Sequence, residues 1–336
     1  MSRIRIEPSG REFEAASGET ILEAALRAGL NVPYNCNNGS CGQCAARLLQ
    51  GDIGRQLPHD FVFREHEKDQ GLFLMCSVTP GSDMVIETRT IGSAEDVPHQ
   101  EIDAKVYRID EVADNIRILQ LRTPRSQSLR FLAGQYVNLQ VNGQESSVRP
   151  VASCPCNGMY LQFHIRQTEQ DPFSHYVFNQ LATRAEVHIS GPQGSFTLDE
   201  SSSRPIIFIA NDTGIAPIKS LIEHCIALEY TQPMHLYWLL DNRDGNYLSN
   251  YVRSLEDALD NFLFTPVFLN ALVDRPGKDQ ERLQQAAEKI VSDYPDLEAY
   301  DLYMNGPAKA YAALTDRLIE HRLPQNRLFI DKLGFY

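Results

Sequence analysis

Cys36-Asn37-Asn38-Gly39-Ser40-Cys41-Gly42-Gln43-Cys44, with Cys76 further on, decides how this chain is read. The spacing C-x4-C-x2-C followed by a distant fourth cysteine is that of four thiolates around a 2Fe-2S cluster. One tight loop supplies three sulfurs and a separate segment returns the fourth. Gly39 and Gly42 suit such a loop, because glycine adopts φ > 0 without steric cost and lets backbone N–H groups turn toward sulfur. Cys36, Cys41, Cys44 and Cys76 are therefore the expected metal ligands. Zinc is the main rival, but its sites favour paired C-x2-C or Cys/His spacing, which the x4 arm does not supply.

Working outward from the loop, residues 1–92 read as one small domain. Ile4 and Ile6, then Glu12-Phe13-Glu14-Ala15, form a hairpin pattern around Ser9-Gly10. Thr20 and Glu23 have capping-box spacing ahead of Ile21, Leu22, Ala25 and Leu26, and Gly29 closes that helix. A strand leaves the cluster loop over 45–50, the segment 72–76 brings back the fourth ligand, and 84–88 closes the sheet. This segment resembles the β-grasp fold of plant-type ferredoxins.

Residues 93–101 are polar with one proline and read as a linker. Residues 102–203 carry short strand patterns at 104–109, 116–122, 136–141, 159–166 and 185–190, and one helix near 172–181. They predict an antiparallel β-barrel. At residue 204 the period changes. Pro205-Ile206-Ile207-Phe208-Ile209-Ala210 is a continuous apolar run, as in a strand buried on both faces. A turn and helix follow at 211–221. Strands at 235–240, 262–268 and 299–304 then alternate with helices near 248–260, 279–292 and 308–321. Over 204–336 this predicts a doubly wound parallel sheet with ligands at the carboxyl ends of its strands. The expected fold class is multidomain α/β: a ferredoxin domain, a flavin-type β-barrel and a nucleotide-type α/β domain.

Composition narrows the function. The 336 residues allow two to three domains, and a net charge of −13 argues against nucleic acid and anionic membranes as partners. No run of 18 apolar residues suggests a membrane span. The first residues, Met1-Ser2-Arg3-Ile4-Arg5-Ile6-Glu7, alternate like a strand and lack the apolar core of a signal peptide. Cys154, Cys156 and Cys225 lie outside the cluster set, and free thiols beside an oxidisable cluster fit a cytoplasmic protein. Cys154-Pro155-Cys156 reads as two ordinary free thiols, since no second pair accompanies it.

The order of the three domains resembles one reductase family. Its members include the reductase components of ring-hydroxylating dioxygenases and soluble methane monooxygenase, and the reductase of CDP-6-deoxyhexose 3-dehydrase. The similarity is densest at His164-Ile165-Arg166, Tyr176-Val177-Phe178, Gly191-Pro192-Gln193-Gly194-Ser195-Phe196 and 213–220. It implies that NAD(P)H reduces FAD, and that the flavin splits the electron pair for a cluster that accepts one electron at a time. It also implies an oxygenase or dehydrase partner docking near the cluster loop. The resemblance places the flavin across Arg149, Pro150, Val151, Ala152, Ser153, His164, Ile165, Arg166 and Ser174. It places the nicotinamide at Thr213, Gly214, Asn305, Gly306 and Pro307. Asn305 stands where the family has a cysteine beside the hydride path, and the terminal Tyr336 is the aromatic expected over a flavin face.

Several positions depart from the family pattern. The family's Arg-x-Tyr-Ser before a small apolar pair becomes Ser147-Val148-Arg149-Pro150-Val151-Ala152-Ser153, so either Ser147 or Arg149 takes the arginine's place and no aromatic follows. Glu169-Gln170-Asp171-Pro172 replaces a Gly-Gly turn, with Asp171 either near a phosphate or simply capping a helix. Asn211-Asp212-Thr213-Gly214 replaces Gly-Gly-Thr-Gly. Leu239 and Asp241 replace a glycine and an arginine, which points away from NADP. Asp331 and Phe335 loosely echo Glu-x-Phe. These departures support a second reading: a ferredoxin whose reductase-like module no longer uses FAD or NAD(P)H and serves docking or regulation.

Overall fold

Alternation of apolar side chains builds the first sheet. Ile4 and Ile6 of β1 (Ser2–Glu7) and Phe13 and Ala15 of β2 (Arg11–Ala15) all point into one core. The computed structural model describes every residue except 35, 37, 90–92, 125, 142, 242–244, 270–278, 307 and 332–336. The sheet continues with β3 (Ala45–Gln50), β5 (Leu72–Leu74) and β7 (Met84–Glu87), in the order β2-β1-β7-β3-β5. β4 (Ile53–Gln56) and β6 (Val78–Pro80) pair beside it. α1 (Ile21–Arg27) starts as the capping box predicts: the Glu23 amide donates to Thr20 Oγ1 at 3.2 Å, and the Thr20 amide donates to Glu23 Oε2 at 2.9 Å. Its face of Ile21, Leu22, Ala24 and Ala25 lies in the same core. A further short helix, α2 (Glu65–Asp69), buries no side chain and so left no apolar period to detect.

The second sheet contains β8 (Gln100–Ala113), β9 (Ile116–Arg122), β10 (Tyr136–Gln140), β11 (Ser147–Pro150), β12 (Tyr160–Arg166) and β13 (Glu186–Gln193). All neighbours are antiparallel, in the order β11-β10-β13-β8-β9-β12. β8 begins at Gln100, within the stretch read as linker. The Ala152 amide donates to the Gln162 carbonyl at 2.8 Å, which draws the two edges together into a near-barrel. α3 (Pro172–Asn179) closes one end by burying Phe173 and Val177 in the barrel core.

Gly134 is one place where this barrel tolerates no side chain. Its φ is +89°, and a Cβ there would strike the Phe196 carbonyl. The next residue, Gln135, ties the turn further by donating from Nε2 to the Gly194 carbonyl at 3.1 Å. Gly134→Ala is expected to cost about 2–3 kcal/mol, combining a left-handed backbone with a backbone clash. A lower urea midpoint with an unchanged slope checks this; an unaltered midpoint refutes it.

The third sheet is fully parallel, as apolar runs buried on both faces require. β14 (Ile206–Asn211), β15 (Met234–Leu240), β16 (Phe262–Phe268), β17 (Asp301–Asn305) and β18 (Leu328–Ile330) lie in the order β16-β15-β14-β17-β18. α4 (Ile215–Ala227), α5 (Ser249–Ala258), α6 (Asp279–Asp293) and α7 (Ala308–Glu320) connect the strands. The chain steps outward from β14 on one side and returns to β17 on the other. The switch point therefore lies at the carboxyl ends of β14 and β17. Among the described residues, no helix is long and apolar enough to cross a membrane.

Candidate functional site

Gly39 and Gly42 have φ of +75° and +74°. A Cβ on Gly39 would press on His59 and Ser77, and one on Gly42 would enter the Phe61 ring. The resulting curl aims N–H groups at sulfur. The Ser40 and Cys41 amides donate to Cys36 Sγ at 3.3 and 3.4 Å, and the Gln43 amide donates to Cys41 Sγ at 3.5 Å. Cys76 arrives on the 3-10 turn Met75–Ser77, held by the Met75 amide on the Cys44 carbonyl at 3.0 Å. Burial opposes ionisation of Cys36, but hydrogen bonds from Ser40, Asn38 and Cys41 outweigh it and bring the thiol to about 6. The Cys44 thiol donates to Cys76 and lowers it to about 7, while Cys44 itself is pushed up.

The sulfurs thus meet as two pairs, Cys36 with Cys41 and Cys44 with Cys76. Among the described residues, no three His, Cys, Asp or Glu side chains converge on a single ion position. Four cysteine sulfurs gathered from one loop and one returning turn suit a 2Fe-2S cluster. Cys36, Cys44 and Cys76 are buried, Cys41 is half-buried, and Asn38, Ser40 and Gln43 are exposed. The loop is therefore the solvent side of the cluster position.

A cavity of about 360 Å³ opens between the barrel and the α/β domain, within the size range of small-molecule sites. Arg149, Pro150, His164, Arg166, Asp171 and Thr213 line it, along with Ser147, Thr168 and Gln170. Val151 and Ala152, which follow Pro150, and Ile165, between His164 and Arg166, are buried. The Ser153 carbonyl accepts from Ser220 Oγ at 2.8 Å, tying this segment to α4. Ser174 fixes the adjoining loop, since its Oγ donates to the Asp171 carbonyl at 2.8 Å.

Both arginines of the cavity meet carboxylates. Arg149 pairs with Asp171 and lies 5.6 Å over the Phe173 ring. Asp171 sits at the N-cap of α3 but makes no side-chain cap hydrogen bond, so its carboxylate serves Arg149 instead. Arg166 pairs with Asp212, and its buried Nε has no hydrogen-bond partner among the described residues. Arg149 and Arg166 bring two guanidinium groups to the cavity, which fits a ligand rich in phosphate and carbonyl oxygen. His164 is buried, which holds its pKa well below the usual imidazole value and keeps the ring neutral. Its Nδ1 meets Tyr247 Oη at 2.9 Å. Tyr247 reaches across from the α/β domain, its ring edge against Trp238. A lone tyrosine in a polar stretch carries no sequence signal, and the reading above missed it.

At the switch point, Asp212 has φ +51° and its carbonyl accepts from Trp238 Nε1 at 2.9 Å. Thr213 and Gly214 follow. A Cβ on Gly214 would strike Asn305, so the turn after β14 lies directly against the end of β17. Asn305 is buried; its Nδ2 donates to Tyr136 Oη at 3.1 Å and to the Asp331 carboxylate. The Tyr136 hydroxyl also donates to Asp331. This cluster joins β10 of the barrel to β17 and the end of β18. Gly306 follows β17. Pro307, Phe335 and Tyr336 lie outside the described residues.

Two of the contacts that seat the ferredoxin domain involve Glu200 and the Cys154–Cys156 turn. Glu200 accepts from Arg11 at 2.8 Å and from Asn31 at 3.2 Å, and meets His224 of α4 at 2.9 Å. The other runs through Cys154 and Cys156, which form a disulfide and are not the free thiols expected from sequence. A second pair is not needed, because the turn at Pro155 brings the two Cα atoms within 5.2 Å, an ordinary bridging distance.

Three family models match the chain in order. They describe a 2Fe-2S iron-sulfur cluster binding domain over residues 4–81, an oxidoreductase FAD-binding domain over 103–198, and an oxidoreductase NAD-binding domain over 208–315. The reductase component 1 of terephthalate 1,2-dioxygenase from Comamonas sp is 32% identical over 250 residues, 74% of each chain. The chain belongs to the family of iron-sulfur flavoprotein reductases. The CDP-6-deoxy-L-threo-D-glycero-4-hexulose-3-dehydrase reductase of Yersinia pseudotuberculosis is 29% identical over 331 residues, 98% of this reductase and 97% of that one. The fold matches the Amycolatopsis cytochrome P450 reductase GcoB with a TM-score of 0.62, 24% identity and 99% coverage of both chains. The reductase is an NAD(P)H-dependent oxidoreductase carrying electrons through FAD to a 2Fe-2S cluster. The reading as a ferredoxin with an idle module gives way to this one.

Proposed function

We propose that this reductase serves an oxygenase or dehydrase component, which docks on the exposed rim of the cluster loop. The observation that carries the proposal is the layout of the site. The cavity opens between barrel and α/β domain, while Asn38, Ser40 and Gln43 face solvent at the cluster. The names of the relatives support the class of acceptor: one reductase serves a dehydrase and another a dioxygenase.

Cys36, Cys41, Cys44 and Cys76 hold the cluster, and the Ser40, Cys41 and Gln43 amides stabilise charge on its ligating sulfurs. Arg149, Pro150 and Arg166 face FAD, with Val151, Ala152, Ser153 and Ile165 shaping its wall. When bound, FAD accepts a hydride from NAD(P)H and releases electrons singly. His164, held neutral by burial and fixed by Tyr247, presents an uncharged group to that cavity. Thr213, Gly214 and Gly306 receive the nicotinamide nucleotide at the switch point. Asn305 orients that end of the site through Tyr136 and Asp331.

A net charge of −13 calls for a basic docking patch on the acceptor. Raising ionic strength from about 0.05 to 0.5 M shortens the Debye length from about 14 Å to about 4 Å, and is expected to slow reduction of the protein acceptor several-fold. Reduction of a small neutral dye should stay nearly constant over the same range. A flat salt profile for the protein acceptor would count against docking through this surface.

A further inference from the structure

Cys154 and Cys156 take no part in the site above, yet the turn they close lies against both α1 and α4. The residues leading into it are strapped to α4. Lys219 Nζ donates to the Ala152 carbonyl at 3.2 Å, Ser220 Oγ donates to the Ser153 carbonyl at 2.8 Å, and the Cys154 amide donates to Glu223 Oε2 at 2.9 Å. Glu223 is held in turn by Lys219 Nζ at 2.6 Å and by the Tyr251 hydroxyl at 2.8 Å. On its other side, the 3-10 turn Pro155–Asn157 packs against α1 of the ferredoxin domain. Pro155 shares the wall of a small recess with Leu26, Val32 and Tyr34 of that domain.

This crosslink encloses a single residue, Pro155. Disulfides stabilise a fold mainly by closing long loops in the unfolded chain, so one this short contributes little in that way. What it constrains is the turn itself, and through the turn the junction of α4 with α1. The two sulfurs differ in access. Cys154 is buried, whereas Cys156 is half-buried next to the exposed Asn157. Exchange starts at a sulfur that an incoming thiolate can reach.

We propose that Cys154–Cys156 is a thiol–disulfide exchange site for a dithiol reductant, and that its state sets how firmly the ferredoxin domain is seated on the other two. A thiolate of the reductant attacks Cys156 Sγ. A mixed disulfide forms as the protein S–S bond breaks, and Cys154 leaves as a thiolate and takes up a proton. The second thiol of the reductant then displaces Cys156, which takes up the other proton. The reductant ends as an internal disulfide, having passed two electrons and two protons to the protein. A disulfide oxidant reverses the exchange. In the dithiol state the turn is no longer closed, and the strap from α4 to α1 loosens.

The test uses the full-length holoprotein, equilibrated with graded mixtures of reduced and oxidised dithiothreitol. It is alkylated with N-ethylmaleimide and then unfolded in excess maleimide without reductant. The oxidised protein should label at the five unpaired cysteines of its seven. Reducing mixtures should add two labels, both in the peptide containing Cys154 and Cys156. Full labelling of the protein as isolated overturns the proposal, and so does a disulfide that opens only after unfolding. Amide hydrogen exchange reads the seating. Reduction should speed exchange several-fold over 21–27 and 152–157 in the natural protein. It should change nothing in the Cys154→Ser/Cys156→Ser double variant, which controls for action of the reductant on the cluster. Equal exchange in both redox states of the natural protein overturns the claim about seating.

Discussion

Cys41→Ser should strip the cluster while leaving the rest of the molecule standing. Serine offers a hydroxyl that stays protonated at neutral pH, and a hard oxygen is a poor substitute for a soft thiolate on iron. Cys41 is half-buried at the rim and lies outside the buried core cluster of its domain, whereas Cys44 and Cys76 belong to it. Replacing Cys41 therefore tests ligation with little cost to packing; the same change at Cys44 or Cys76 would confound the two. Iron content and visible cluster absorption should vanish together, with bound flavin retained. Reduction of the protein acceptor should fall by about 100-fold or more, beyond the loss usual for changes that only touch a ligand's surroundings. Reduction of a small dye able to reach the flavin directly should persist. A variant that keeps both iron and cluster absorption would show that Cys41 is not a ligand.

The cluster residues were legible because their chemistry is local in sequence. Cys36, Cys41 and Cys44 share one loop, and Gly39 and Gly42 take the positive φ that such a loop needs. The strands and most helices were legible for a related reason, since burial of one face or both leaves a period in the chain. The cofactor side was harder. Its decisive contacts join residues far apart: Arg149 with Asp171, Arg166 with Asp212, His164 with Tyr247, and Asn305 with Tyr136 and Asp331. Sequence reading placed Asp171 beside a phosphate or on a helix cap. The structure gives it neither a cap hydrogen bond nor a free role, because Arg149 is its partner. Cys154 and Cys156 were misread on spacing alone, since a two-cysteine turn can satisfy itself.

Asp212→Gly should tighten NAD(P)H and not weaken it. Asp212 precedes α4 in a left-handed conformation, φ +51°, at the switch point where a dinucleotide pyrophosphate approaches the sheet. Like charges about 4 Å apart repel by roughly 4 kcal/mol at an effective dielectric near 20. The Asp212 side chain is 36% exposed and already balanced by Arg166, so only part of that repulsion reaches the ligand. A remainder of about 1.4 kcal/mol corresponds to a tenfold change in affinity. KM for the nucleotide is therefore expected to fall about tenfold, with kcat little altered. Stability should barely move. Losing a partly exposed ion pair costs about 0–1 kcal/mol, and relieving a non-glycine residue of positive φ returns about as much. Asp212→Asn separates charge from backbone, because asparagine tolerates the same φ but cannot repel an anion. It should show most of the fall in KM. If both variants raise KM, the carboxylate itself belongs to the nucleotide site and the repulsion argument fails.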